Sequence, residues 1–209
     1  MSGLATYADL QTAVTDWLDV STSDMASRVP DIITIGEKWI FRKCRTRDMI
    51  TVVSGTISTS GILALPTSYV ALENAVITTA PTQSLDRKTN NWIYDNYPDR
   101  VNGSKPKFIA REAGYFIFGP YPDSAYTVQT EYYMRLAAVN DTSTGNTNAV
   151  FQNWPDLYLY SSLVEAEPFI KRDPRMPLWK SKRDEILADV NGEDNIESFS
   201  GGPLRVTAG

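Results

Sequence analysis

Histidine is absent from this sequence of 209 residues, and cysteine occurs once, at Cys44. Without histidine the chain lacks the side chain best suited to proton transfer near neutral pH and the commonest ligand for transition metals. A single cysteine excludes an internal disulfide framework. No apolar run approaches the roughly 18 residues that cross a bilayer, and the N-terminus lacks the charged-then-apolar order of a signal peptide. A soluble chain made in a cytoplasm is expected, with no membrane partner. Excess positive charge is missing too. Lys and Arg number 20 against 25 Asp and Glu, a formal net charge of −5 that gives no general attraction for phosphate backbones. These absences favour a non-enzyme, with no catalytic, cofactor or metal site expected.

What is present is organised around the run Trp154 to Val190, which reads as two helices folded back on each other. Asn153 suits the N-cap of the first, Pro155 an early helical position and Asp156 the positive end of the dipole. Leu159, Leu163, Ala166 and Ile170 recur at spacings of four and three, and Leu157, Tyr160 and Val164 fall on a neighbouring face. A helix apolar around most of its girth has to be covered on several sides, by other parts of the chain or by other subunits. Pro168 predicts a kink, and Asp173, Pro174 and Pro177 a turn. The second helix carries Trp179, Ile186 and Val190. Trp154, Tyr158, Tyr160 and Trp179 are the candidates for packing between subunits.

The N-terminal residues 1–47 predict two more helices with matching stripes. Thr6 and Asp9 form a capping-box variant before Leu10, Ala13, Val14, Trp17 and Leu18. A second helix starts near Pro30–Asp31 and runs to about Cys44, with Ile32, Ile35, Gly36 and Trp39 on one face. Gly36 inside a helix costs roughly 1 kcal/mol against alanine, which close approach of another helix would justify.

Between the helical ends the hydrophobic period changes to two, and residues 48–137 read as a small antiparallel β domain. Residues 49–53 and 56–59 flank Ser54–Gly55, a hairpin-turn dipeptide, and Ile62–Leu65 and Ala71–Thr79 follow as extended segments. Residues 80–91 lack a pattern, and Trp92–Tyr97 predicts one helical turn. Lys107–Arg111 and Tyr115–Phe118 flank a second hairpin signal, and Tyr126–Arg135 alternates as a longer strand. Residues 138–153 read as a loop leading to the helical hairpin at 154–190. The fold class is therefore α+β, a bundle of N- and C-terminal helices with an inserted β domain. Residues 191–209, rich in glycine and small polar side chains, read as an extended tail. Leu204 and Val206, two apart, suit one face of a strand added to a partner's sheet edge. Phe199, Leu204, Arg205 and Val206 are the tail's candidates for contact with a partner protein or a neighbouring subunit.

Several features invite chemistry and have plainer readings. Tyr115, Phe116, Phe118, Tyr121, Tyr126, Tyr132 and Tyr133 would make a sugar-stacking platform, or the core face and cross-strand pairs of a sheet. Arg42, Lys43, Arg45 and Arg47 would touch DNA, or complement the dipole at a helix C-terminus. Glu165 and Glu167 stand two apart, so on a helix they point in different directions. Cys44 lies beside basic residues but has no histidine as base. Gly103–Ser104–Lys105 lacks the upstream glycine of a phosphate loop.

Taken in order, Tyr7–Ala8–Asp9–Leu10 to Trp17–Leu18, Pro30–Asp31–Ile32–Ile33 with Glu37 and Arg42, and Leu65–Pro66 with Tyr69 form one series. Gly119–Pro120, Glu131–Tyr132–Tyr133 and the run Trp154 to Tyr160 continue it. From Thr6 to Val190 this series resembles the head-to-tail adaptor proteins of tailed bacteriophages, the group that includes tail tubular protein A of short-tailed phages. The resemblance implies a helical bundle with a β domain and no catalytic residues. It implies a ring of copies, a dodecamer matching the portal, between the portal protein and the tail nozzle protein in the virion. That ring would line the conduit through which DNA passes, would be assembled in the host cytoplasm, and leaves open whether tail fibres dock on the β domain. The competing expectation is a glycan-binding β module with a helical oligomerisation stem.

Overall fold

The computed structural model of the chain describes residues 3–19, 27–58, 60–99, 103–170 and 173–199, with side chains in the last stretch described up to Gly192. It is an α+β protein with helices towards both ends and the strands between them. The helices are α1 (Tyr7–Leu18), α2 (Val29–Lys43), α3 (Asn90–Asn96), α4 (Ala149–Asn153), α5 (Pro155–Glu165), α6 (Glu167–Ile170) and α7 (Met176–Phe199). The strands are β1 (Ile50–Ile57), β2 (Ile62–Ala64), β3 (Tyr69–Ile77), β4 (Gln83–Ser84), β5 (Asp86–Arg87), β6 (Phe108–Glu112), β7 (Tyr115–Gly119) and β8 (Tyr126–Met134). They divide between two compact units, Met1–Met49 with Leu136–Gly209, and Ile50–Arg135.

In the helical unit α5 is the centre, packed against α1, α2, α4 and α7. Leu157, Tyr158, Leu159, Leu163 and Ala166 are all buried, and such a spread around the axis requires cover on more than one side. Each fully buried leucine contributes about 1.5–3 kcal/mol through removal from water. Capping by Thr6 and Asp9 holds α1 at its start: the Asp9 N–H donates to Thr6 Oγ1 at 3.2 Å, and the Thr6 N–H to the Asp9 carboxylate at 2.9 Å. From there Leu10, Val14 and Leu18 point inward. Helix α2 begins with proline in its first turn and buries Ile32, Ile33, Gly36, Glu37 and Ile40.

Four local expectations need correction. The stretch expected as a loop before the hairpin contains α4, because Asn148 accepts the Phe151 N–H at 3.0 Å and Val150 and Phe151 are buried. Asn153 therefore ends α4 rather than capping α5, and its side-chain amide donates to Asp48 Oδ2 at 2.7 Å. The first part of the expected tail is helical, since α7 continues to Phe199. Asn191 anchors that continuation, with Oδ1 accepting the Arg45 N–H at 3.0 Å. Ser54–Gly55 makes no hairpin turn. It lies inside β1, which pairs with β8 from Ile50 to Ile57, and the Leu63 side chain fills the space where a Cβ on Gly55 would stand.

In the β unit one sheet has the order β1-β8-β3-β4 and the other β2-β7-β6-β5. Ile57, Leu72, Ile77, Ile109, Phe116, Phe118 and Val128 make a shared core between them. Strand β7 is buried on both faces. Phe116 and Phe118 enter that core, while Ile117 points the other way, to Ala110 and to Ile93 of α3.

Candidate assembly surface

Most large apolar side chains are enclosed, so the exceptions are informative. On the helical unit Trp17, Ile35, Phe169 and Leu178 are exposed, Leu178 most of all at 59%. On the β unit Val52, Val53 and Tyr115 are exposed. Val52 and Val53 belong to β1, which is an edge strand of its sheet and carries no charge or proline from Ile50 to Ile57. An edge without those protections offers backbone groups and apolar side chains to another chain.

The residues expected to pack between subunits separate into two groups. Tyr158 and Trp179 are 1% and 2% exposed, so their rings are enclosed inside the protomer and they are corrected to core residues. Tyr158 meets Phe151 edge-on at 5.2 Å, and Trp179 lies under the Arg175 guanidinium at 4.9 Å. Both sit on helix faces that turn toward α5 or its neighbours, which a count of apolar girth cannot resolve. Trp154 and Tyr160 are half-buried. Tyr160 meets the Trp17 ring edge-on at 5.8 Å, so these two make one aromatic patch at the junction of α1 and α5. Phe199 ends α7, its side chain outside the described residues, as are Leu204, Arg205 and Val206.

Spacing assigns Trp17 and Ile35 to core stripes, and the structure places both at the surface. Leu10, Val14 and Leu18 already fill the inward line of α1, leaving Trp17 at its border. On α2 the buried line runs through Val29, Ile32, Ile33, Gly36, Glu37 and Ile40, so Ile35 faces away.

Among the described residues, two charged side chains lie inside the helical unit. Glu37 is 4% exposed and accepts the Val139 N–H at 2.8 Å. Burial pushes its carboxyl up to about 7, against the opposing pull of the Val139 N–H and the Tyr158 hydroxyl. Burial, then the Glu37 charge, raises Tyr158 above the usual phenol range, and the Asn148 amide donates to its oxygen at 3.0 Å. Arg183, 6% exposed, stacks 3.9 Å from the Trp39 ring, with Asp184 at 3.0 Å and Glu165 at 4.0 Å. These are packing arrangements, with each charge held by named partners.

Among the remaining chemical candidates Arg45, Cys44 and Lys105 are occupied within the protomer, and Arg42, Lys43 and Arg47 are exposed. Arg45 closes the end of α2, donating to the Phe41 and Cys44 carbonyls at 3.0 and 2.6 Å, and Cys44 is buried. Lys105 donates to the Thr79 carbonyl at 2.8 Å and to that of Pro81. Of the seven strand aromatics, Phe116, Phe118, Tyr126 and Tyr132 are buried in the β unit, while Tyr115 is exposed and Tyr121 and Tyr133 are half-buried. No helix among the described residues is long and apolar enough to cross a membrane.

A family model described as SU10 adaptor protein matches residues 5–207, across both compact units. The chain belongs to the SU10 adaptor protein family. Among curated proteins, none matches it. SU10 adaptors are phage structural proteins rather than a class of enzymes, and an adaptor is a virion component that contacts other virion components. The match also runs through the segment after α7, so that segment belongs to what the family shares.

Proposed function

We propose that copies of this chain form a closed ring that joins the phage portal to the tail nozzle, in the manner of tail tubular protein A. The observation that carries this reading is the family match over both units, from residue 5 to residue 207. The exposed apolar side chains on each unit support it, because an adaptor works by having such surface covered.

The mechanism is burial. The Trp17–Tyr160 patch and the exposed Phe169 and Leu178 pack against the next copy, each Å² of apolar area removed from water contributing about 25 cal/mol. A heterologous contact repeated around a closed ring makes the assembly outlast any one of its interfaces. Trp154, half-buried where α4 meets α5, packs against the next copy as well. Phe199, Leu204, Arg205 and Val206 contact the portal or a neighbouring copy. Net charge of −5 suits a conduit, since an acidic wall repels the phosphate backbone and lets DNA slide. A ring matched to the portal has twelve copies, resides at the head–tail interface and assembles in the host cytoplasm.

Sedimentation of the purified chain with portal particles of its phage tests this. Co-sedimentation at a fixed ratio of copies per portal is expected. A chain that stays in the supernatant at every concentration overturns the proposal.

A further inference from the structure

The β unit holds a cavity of about 390 Å³, lined by the start of β3, by β5 and β6, and by residues 88–90. Three cations line it, Arg87, Lys88 and Arg111, and no lining residue is aspartate or glutamate. Such an imbalance stands out in a chain with five more acids than bases (25 against 20).

The sheet brings the three together. Parallel pairing sets Arg87 beside Ile109, the Lys88 N–H donates to the Ile109 carbonyl at 2.9 Å, and Arg111 follows two residues along β6. Aromatic faces then hold two of the charges. The Arg111 guanidinium lies 5.3 Å from the Tyr69 ring, and the Lys88 ammonium 5.3 Å from Trp92 and 5.7 Å from Phe108. Arg111 Nε also reaches the Ala113 carbonyl, at a long 3.5 Å. Among the described residues the ion pairs belong to Arg175, Lys182 and Arg183, and none to these three. A π face orients a cation without neutralising it and leaves the terminal N–H groups of arginine able to donate. Tyr69, Val70 and Ala71, half-buried at the start of β3, add apolar wall beside the charges.

We propose that this cleft binds a carboxylate side chain together with an adjoining apolar residue, presented by an exposed acidic segment of a neighbouring virion protein. Only the source of that segment rests on the adaptor reading; the site itself does not depend on a ring or a portal. Arginine offers a carboxylate two parallel hydrogen bonds, and the apolar wall takes the side chain next to it. DNA fits less well. The net charge repels a polyanion at a distance, and a recess of this size admits one or two side chains rather than a tracked backbone.

The test uses the full chain and a fluorescein-labelled peptide in which aspartates alternate with phenylalanines, followed by fluorescence polarisation at low salt. Saturable binding is expected, at least about tenfold weaker in Lys88→Gln/Arg111→Gln with an unchanged melting curve, and weaker still with added salt. Arg87→Glu, at an exposed position, gives a second reading should the double variant melt early. No binding, equal binding by these variants, equal binding of the asparagine version of the peptide, or easier displacement by duplex DNA than by unlabelled peptide would each overturn the proposal. Portal co-sedimentation of the double variant keeps the two readings apart. Peptide binding without portal capture by the wild type sinks the ring alone, and capture without peptide binding sinks the cleft alone.

Discussion

A Cβ placed on Gly36 of α2 would stand 3.0 Å from the backbone nitrogen of Ser162 on α5. The two helices touch backbone to backbone there, with the Ser161 carbonyl carbon at 3.1 Å from the same point. Replacing Gly36 with alanine gains roughly 1 kcal/mol of helix propensity but has to push two packed backbones apart. Gly36→Ala is expected to lower stability by about 1 kcal/mol and Gly36→Val by about 3 kcal/mol, read from denaturant unfolding. An alanine variant more stable than wild type would show that α2 and α5 have room to spare.

Glu37 makes stability depend on pH in an unusual direction. Its folded value of about 7 lies above the ordinary 4.5, so the folded state holds the proton more tightly than the unfolded one. The favourable contribution is complete below about 4.5 and is lost as pH rises through 7, on the order of 3 kcal/mol in all. The Glu37→Gln variant keeps an acceptor for the Val139 N–H and cannot ionise. The melting temperature of wild type relative to this variant should therefore fall between those two pH values. A constant difference across the window contradicts the assignment.

Trp17 and Trp39 should behave differently on truncation. Trp17 is 41% exposed, so Trp17→Ala is expected to cost only about 1–2 kcal/mol while weakening contact between copies. Trp39 lies under the buried Arg183 at 3.9 Å, and its removal strips cover from an enclosed charge. Trp39→Ala is expected to cost about 3 kcal/mol or more. Equal losses for the two, measured by denaturant unfolding, would argue against this division between surface and core.

Deleting Ser198–Gly209 removes only the last two residues of α7 and the segment beyond it. The melting temperature should hold, and capture by portal particles should weaken. Equal capture with and without the segment would refute its anchoring role.

The helical ends are legible in the sequence because caps and spacing act locally. Thr6–Asp9, the proline in the first turn of α2 and the all-round apolarity of α5 each state a physical requirement that the fold meets. Gly36 is legible for the same reason, since only a close neighbour makes glycine useful there. What sequence does not show is which apolar residue loses the competition for the interior. Trp17 fits its stripe by spacing, yet Leu10, Val14 and Leu18 already fill the line. Tyr158 and Trp179 look like spare surface, yet α4 and the Asp173–Arg175 turn region supply partners for them. Ser54–Gly55 reads as a turn until β8 is seen to pair along its whole length. The Arg87, Lys88 and Arg111 cleft joins two distant stretches of sequence, so no local pattern announces it.

Electron microscopy of portal particles mixed with the purified chain tests the central claim most directly. Joining by burial predicts a closed ring of copies seated on the portal, with fewer complete rings for Trp17→Ala. Portal particles that carry no added density at saturating chain would contradict it.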